Sequence, residues 1–184
     1  MAGQALPSCA PRRILIVGAA GAGKSTLARQ LGARLDLPVI HLDRYFFGPG
    51  WTPLAPEARV AILRRLAAGD RWIVEGNPPA RGLAHCCGCA DTILVLDFHP
   101  IRCLLRAFRR RFQAAGGARP DAPPDSTESQ ITPGYYCWLA RFRSRVRPGL
   151  LATLGESAGA ARVIRFRRPS ELSRWIAAPG EPLR

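Results

Sequence analysis

Short continuous apolar runs alternate along this chain with longer stretches in which apolar residues recur every three or four positions. The run Ile14 to Val17, entered through Arg12 and Arg13 and closed by Gly18, predicts a buried strand. Leu27, Leu31 and Leu35 then fall on one face of a helix over 25–35. Residues 38–42 predict a second strand ending at Asp43, and an aromatic, turn-rich stretch follows from Tyr45 to Pro53. Val60, Leu63 and Ala67 share one side of a helix over 56–68. Residues 71–75 form a third strand, stopped by Gly76-Asn77-Pro78-Pro79, and Thr92 to Leu96 a fourth, ending at Asp97.

Pro100 suits the first turn of the next helix. There Ile101, Leu104, Leu105, Phe108 and Phe112 predict a buried stripe, with Arg102, Arg106, Arg109 and Arg110 opposite. Residues 114–133, rich in Gly, Pro and polar side chains, predict an irregular excursion. A helix over 135–154, a fifth strand over 162–166 and a short helix capped by Ser170 complete the chain, and the ends at 1–11 and 178–184 are expected to fray. Strands alternating with helices imply a single α/β domain over 12–177, a three-layer α/β/α arrangement around a parallel sheet. Ligands of such sheets sit beyond the carboxyl ends of the strands, so Gly18, Asp43, Glu75 and Asp97 should converge on one cleft.

The turn after the first strand carries the chemistry. Gly18-Ala-Ala-Gly21-Ala22-Gly23-Lys24-Ser25 satisfies the pattern GxxxxGK[ST], between a predicted strand and a predicted helix. Its glycines let successive backbone N–H groups turn inward toward phosphate oxygens, and the helix that follows adds the positive end of its dipole. Gly18, Gly21, Ala22, Gly23, Lys24, Ser25 and Thr26 are therefore the expected nucleotide-binding residues. Lys24 should reach the terminal phosphates of ATP, and the Ser25 hydroxyl should ligate Mg²⁺. Glu75 or Asp97 could hold that ion through water, and any of Asp43, Glu75 and Asp97 could accept a proton from an acceptor hydroxyl. His41, next but one to Asp43 in its strand, reads as a hydrogen-bonded core histidine.

Charge sharpens this picture. The formal net charge is +14, and Lys24 is the only lysine among the 27 basic residues. Residues 101–147 set ten arginines against Asp121, Asp125 and Glu128. Arg106 with Arg110, and Arg141 with Arg145, are spaced to face one way on their helices, on either side of the excursion. Two arginine-bearing helices around a loop suit a lid, approximately 106–145, that closes over phosphates. The arginine surface is also compatible with a nucleic-acid partner. The six cysteines include Cys86 and Cys89 beside His85; with no second ligand pair at suitable spacing, a loop of reduced thiols is expected there rather than zinc. No run approaches the roughly 18 apolar residues of a membrane span, and residues 1–13 contain no apolar core of a secretion signal, so a cytoplasmic protein without membrane contact is expected.

These residues resemble the adenylate-kinase-like P-loop proteins called DNA topology modulation proteins. The likeness rests on the P-loop, His41-Leu-Asp43, Gly50-Trp51, residues 71–77, residues 90–97, the arginines from Arg106 to Arg111, and Arg119-Pro-Asp121. It implies a five-stranded parallel sheet in the order 2-3-1-4-5, with a lid between the fourth and fifth strands. Nucleoside monophosphate kinases are similar more distantly: Glu75-Gly76 matches their acid-Gly pair, and Arg106 and Arg110 hold the places of their lid arginines. Their acceptor-binding arginine, however, is replaced by Pro79, and their paired aspartates after the lid are missing. The expectation is a Mg-ATP-dependent phosphotransferase with Lys24, Asp43, Glu75, Arg106, Arg110 and Arg141 as catalytic candidates and an acceptor near Asp43, Arg44, Glu75 and Asn77. The alternatives are an ATP-switched nucleic-acid-binding protein affecting DNA topology and a nucleotide-binding scaffold without turnover.

Overall fold

The computed structural model describes residues 11–113, 121–126 and 132–177. In chain order the elements are β1 (Arg13–Gly18), α1 (Lys24–Leu35), β2 (Val39–His41), the single turn α2 (Asp43–Phe46), α3 (Pro56–Leu66), β3 (Trp72–Glu75), α4 (Ala80–Cys89), β4 (Thr92–Leu96), α5 (Pro100–Gln113), α6 (Pro133–Arg141), α7 (Arg147–Ser157), β5 (Arg162–Phe166) and α8 (Pro169–Ala177). A small antiparallel ribbon pairs Phe47–Gly48 with Thr52–Pro53. The expected frayed ends, apart from Pro11, and most of the excursion at 114–133 lie outside the described residues.

The five strands form one parallel sheet in the order β2-β3-β1-β4-β5, as the sequence resemblance implies. Strand β1 is central, with Ile16 opposite Glu75 and Gly18 opposite Leu96. Because neighbouring strand residues point to opposite faces, β1 feeds two cores. Ile14 and Ile16 join Leu27, Leu31, Ile73 and Leu94 on one face; Leu15 and Val17 join Leu63, Trp72, Val74 and Leu154 on the other. Each fully buried aliphatic side chain contributes about 1.5–3 kcal/mol, which is why the central strands are apolar throughout.

Three departures from the sequence reading have physical causes. The stretch read as a thiol loop is helix α4, which buries Cys86 and Cys87 against α3 and α7. Its two glycines hide the helix from a periodicity reading. Gly82 is there because a Cβ would stand 2.7 Å from Leu63 Cδ2, so only glycine lets α3 and α4 approach. Burial pushes the Cys86 thiol up to about 12 and the Cys87 thiol up to about 11, which keeps both protonated. In α5 the predicted stripe is displaced. Cys103 and Ala107 are buried, whereas Ile101, Leu105 and Phe108 are 61%, 65% and 53% exposed; the Phe112 side chain lies outside the described set. The helix sits so close to the P-loop that only small residues fit between them. Finally, the helix read over 135–154 divides: α6 and α7 are joined by a π-helical stretch at Phe142–Val146.

The start of α8 is also capped differently. Glu171, inside the first turn, accepts hydrogen bonds from the backbone N–H groups of Arg167 (2.7 Å) and Arg168 (3.1 Å), the office expected of Ser170. These bonds lower the Glu171 pKa.

Asp97 ties the far side of the sheet together. Its Oδ1 accepts a hydrogen bond from Arg147 Nε at 2.8 Å, and its Oδ2 accepts from Arg165 Nε at 2.9 Å. The carboxylate that ends β4 thus joins β5 to the first residue of α7. Burial by itself would raise the Asp97 pKa, but the bonds from Arg147 and Arg165 and their charges outweigh it and hold the carboxyl below its ordinary value. A folded-state pKa below the unfolded one contributes stability above the ordinary aspartate value of about 3.9, and that contribution is lost as pH falls through the folded value. Asp97→Asn is expected to cost about 2–3 kcal/mol in urea denaturation at pH 7. The gap between variant and parent should narrow below about pH 4; a gap that stays constant into acid would refute the ion-pair account.

Candidate functional site

A cleft of about 900 Å³ opens over the carboxyl ends of β1 and β3, the size of a nucleotide or small-ligand site. Its floor is the loop between β1 and α1. Gly21 (φ +76°) and Gly23 (φ +99°) lie in the left-handed region, which turns the loop's backbone back on itself. A Cβ on Gly21 would stand 2.3 Å from the Cys103 carbonyl oxygen, so α5 closes directly on the loop. Inside the loop, Ala22 N–H donates to the Ala19 carbonyl at 3.2 Å, and Lys24 Nζ donates to the same oxygen at 3.2 Å.

Asn77 anchors the loop from the next strand end. Its Oδ1 accepts from Gly18 N–H at 3.2 Å and its Nδ2 donates to the Gly18 carbonyl at 2.8 Å, the two bonds a neighbouring strand would supply. Asn77 had been placed beside an acceptor; it lines the cleft but is spent on holding Gly18.

Glu75, 4% exposed, organises the next part of the cleft. Ser25 Oγ donates to its Oε1 at 2.9 Å, and His41 Nδ1 lies 2.7 Å from the same oxygen. The strand register sets His41 directly opposite Glu75. His41 is thus a largely covered, hydrogen-bonded histidine beside Glu75, its side chain 11% exposed.

At the end of the cleft that α2, α3 and the ribbon close, Asp43, Phe46, Phe47, Trp51 and Arg59 line the wall. Trp51 takes a left-handed backbone (φ +62°), rare for a bulky residue, and meets Phe47 edge to face at 5.8 Å. Arg59 Nε is buried and finds no hydrogen-bond partner among the described residues. On the remaining side stand Arg106, Arg109 and Arg110 of α5 with Tyr135 and Trp138 of α6, whose rings stack at 6.0 Å. The Arg106 guanidinium hangs over the loop, its Nη2 3.7 Å from where a Cβ on Gly23 would be. Burial raises the Cys103 pKa, against the opposing pull of the nearby Lys24 and Arg106 charges.

The structure therefore brings Gly21, Gly23, Lys24, Ser25, Thr26, Asp43, Glu75, Arg106 and Arg110 to one cleft, with Gly18 and Ala22 in the loop beneath. Two candidates lie elsewhere. Asp97 has both carboxylate oxygens engaged by Arg147 and Arg165, so of the two carboxylates considered for the metal, Glu75 is the one beside Ser25. Arg141 is exposed and outside the cleft lining, and so is Arg44, expected near the acceptor. Sequence reasoning missed Arg59, one arginine among many on a helix face, and Asp121, whose burial at 7% no local pattern signals.

The residues fit a nucleotide with its magnesium. The loop turns on left-handed Gly21 and Gly23 into the start of α1, and Ser25 supplies a hydroxyl next to a buried carboxylate. Among the described residues no helix is long and apolar enough to cross a membrane.

No protein-family model and no curated protein sequence matches the chain. Solved structures do. Shikimate kinase from Bacteroides thetaiotaomicron superposes with a TM-score of 0.51 at 17% identity, covering 91% of this chain and 96% of that one. Shikimate kinase from Acinetobacter baumannii in complex with shikimate gives 0.55 at 14% identity, covering 92% and 94%. A gluconokinase from Sinorhizobium meliloti 1021 gives 0.51 at 19% identity, covering 91% and 90%. At these identities the likeness shows the fold: a P-loop kinase sheet with its flanking helices.

Gly21→Ala should destabilise the protein by about 1–3 kcal/mol, since both its φ and the Cys103 carbonyl oppose a methyl group. Gly88→Ala, which meets nothing within 4 Å on α4, should be neutral or stabilising by up to about 1 kcal/mol. Chemical denaturation of the two variants side by side checks the contrast; equal effects would mean that α5 does not rest on the loop.

Proposed function

We propose that the protein is a Mg-ATP-dependent phosphotransferase acting on a small acceptor that carries an anionic group as well as a hydroxyl. The observation that carries this reading is the two-ended cleft. A phosphate-binding loop with Lys24 and Ser25 forms one end; a carboxylate, Asp43, and a half-buried guanidinium, Arg59, line the other. A phosphoryl-transfer site needs positioning and charge compensation more than covalent chemistry. The loop N–H groups and Lys24 would hold the ATP phosphates. Ser25, with Glu75 behind it, would hold magnesium, which neutralises charge on the phosphates when bound.

Asp43, in the cleft lining, would accept the acceptor's hydroxyl proton. Arg59, a cationic side chain in the cleft lining, suits a carboxylate or phosphate on the acceptor, because its planar fork binds such groups bidentately. That two of the structural neighbours are shikimate kinases, acting on a hydroxylated carboxylate, agrees with this. Arg106, Arg109 and Arg110 line the phosphate side of the cleft, and with α6 across from them they form the described flanks of a lid over 106–145 that would exclude water.

The finer kinship with the DNA topology modulation proteins, and a cytoplasmic location, rest on sequence features alone. Incubation with magnesium and γ-labelled ATP against a panel of hydroxylated carboxylates, sugar phosphates and nucleoside monophosphates should move label to one acceptor. Label released only as phosphate, together with salt-sensitive DNA binding, would instead favour the ATP-switched nucleic-acid reading. Lys24→Ala should abolish transfer with an unchanged melting curve, and full activity in that variant would overturn the proposal. Arg59→Ala should raise the acceptor KM by about 10- to 100-fold while leaving the KM for ATP nearly unchanged.

A further inference from the structure

One cluster in the cleft exceeds what a nucleotide's magnesium requires. His41, Glu75 and Asp121 each offer a ligand atom, and these atoms all lie within 4.8 Å of one another. They come from three separate parts of the chain: the end of β2, the end of β3, and the segment 121–126 between α5 and α6. We propose that these three side chains form a binding site for a divalent transition-metal ion of the manganese, cobalt or zinc kind, loaded without nucleotide. This inference shares Glu75 with the magnesium arrangement of the phosphotransfer reading but does not require that reading to hold.

The geometry favours an ion. His41 Nδ1 and Glu75 Oε1 are 2.7 Å apart. That contact is a hydrogen bond, so an ion would take the place of its proton; ligand atoms adjacent around an ion at about 2.1 Å stand roughly 3–3.4 Å apart, which needs only a slight spread. Asp121 at 7% exposure and Glu75 at 4% bring two carboxylates into one covered place beside an imidazole, the donor types that hold a divalent ion. Ser25 Oγ donates to Glu75 Oε1 and so orients that ligand, the arrangement outer-shell groups provide at metal sites.

The donor set selects the class of ion. Two carboxylates alone would suit magnesium or calcium, which prefer oxygen throughout; an imidazole among the donors shifts preference to first-row transition ions. Three protein ligands leave coordination positions for water, as in open sites rather than closed structural ones.

The test uses the full-length, metal-stripped protein, without nucleotide, titrated with Co²⁺ by calorimetry and visible absorption. The expected result is one ion per chain, with d–d absorption and no thiolate-to-cobalt charge-transfer band. A hundredfold excess of Mg²⁺ should fail to displace it. His41→Asn and Asp121→Asn should each weaken binding at least tenfold, and thermal unfolding should confirm that each variant is folded. Because the two residues lie on different elements, misfolding of one variant still leaves the other to decide. No uptake of Co²⁺, uptake unchanged in a folded variant, or displacement by Mg²⁺ would overturn the proposal. So would a thiolate band, which would assign the ion to the helix bearing His85, Cys86 and Cys89. Cobalt binding without phosphotransfer would leave this site standing and remove the kinase reading; phosphotransfer without cobalt binding would do the reverse.

Discussion

A carboxylate almost wholly withdrawn from water has to be answered by donors, and Glu75 is that carboxylate here. At 4% exposure, next to the middle strand of the sheet, it cannot be left unpaired without a large desolvation cost. The sheet register supplies His41 from one side, and the first turn of α1 supplies Ser25 from the other. One oxygen therefore fixes the position of β2, β3 and the helix that begins at the phosphate-binding loop. The loop follows from this: with Ser25 held by Glu75 and Gly18 held on both sides by Asn77, its two ends are set and its glycines absorb the turn between them.

The same logic of satisfied charge sorts the arginines, which the sequence presents as one undifferentiated excess. Arg147 and Arg165 are consumed by Asp97 and bind β4 to β5 and α7. Arg59, Arg106, Arg109 and Arg110 line the cleft, where their charge favours an anionic ligand. Arg141, Arg143 and Arg145 lie exposed on or just after α6 and are surface charge. Spacing on a helix gave Arg106 and Arg141 equal standing; packing separates them, because α5 rests on the loop through Cys103 while the Arg141 side chain faces water.

What was legible in the sequence was whatever local pattern controls. The apolar strands, the Gly-Lys-Ser turn and the parallel sheet follow from runs and spacings that need no knowledge of neighbours. The displaced stripe of α5 could not be read that way, since Cys103 and Ala107 are chosen by the closeness of another element rather than by hydrophobicity. Helix α4 was hidden for a related reason: Gly82 looks like a helix breaker until Leu63 is seen against it. Asp97 had every sequence credential of a site residue, a carboxylate at a strand end, and only the nearby positions of Arg147 and Arg165 reveal it as a clamp.

The two ends of the cleft differ in how their charge is satisfied, and that difference carries the functional argument. Around the loop, donors and acceptors are already matched: Lys24 to Ala19, Ser25 to Glu75, Asn77 to Gly18. Such a region is preorganised, so a phosphate chain can be received with little rearrangement. At the other end the Arg59 guanidinium lines the wall, and Trp51 holds a backbone conformation that bulky residues avoid. Backbone strain of this kind clusters at ligand sites. Under the proposed phosphotransfer, specificity would then lie with Asp43, Trp51 and Arg59 of the cleft wall rather than with the loop that first drew attention.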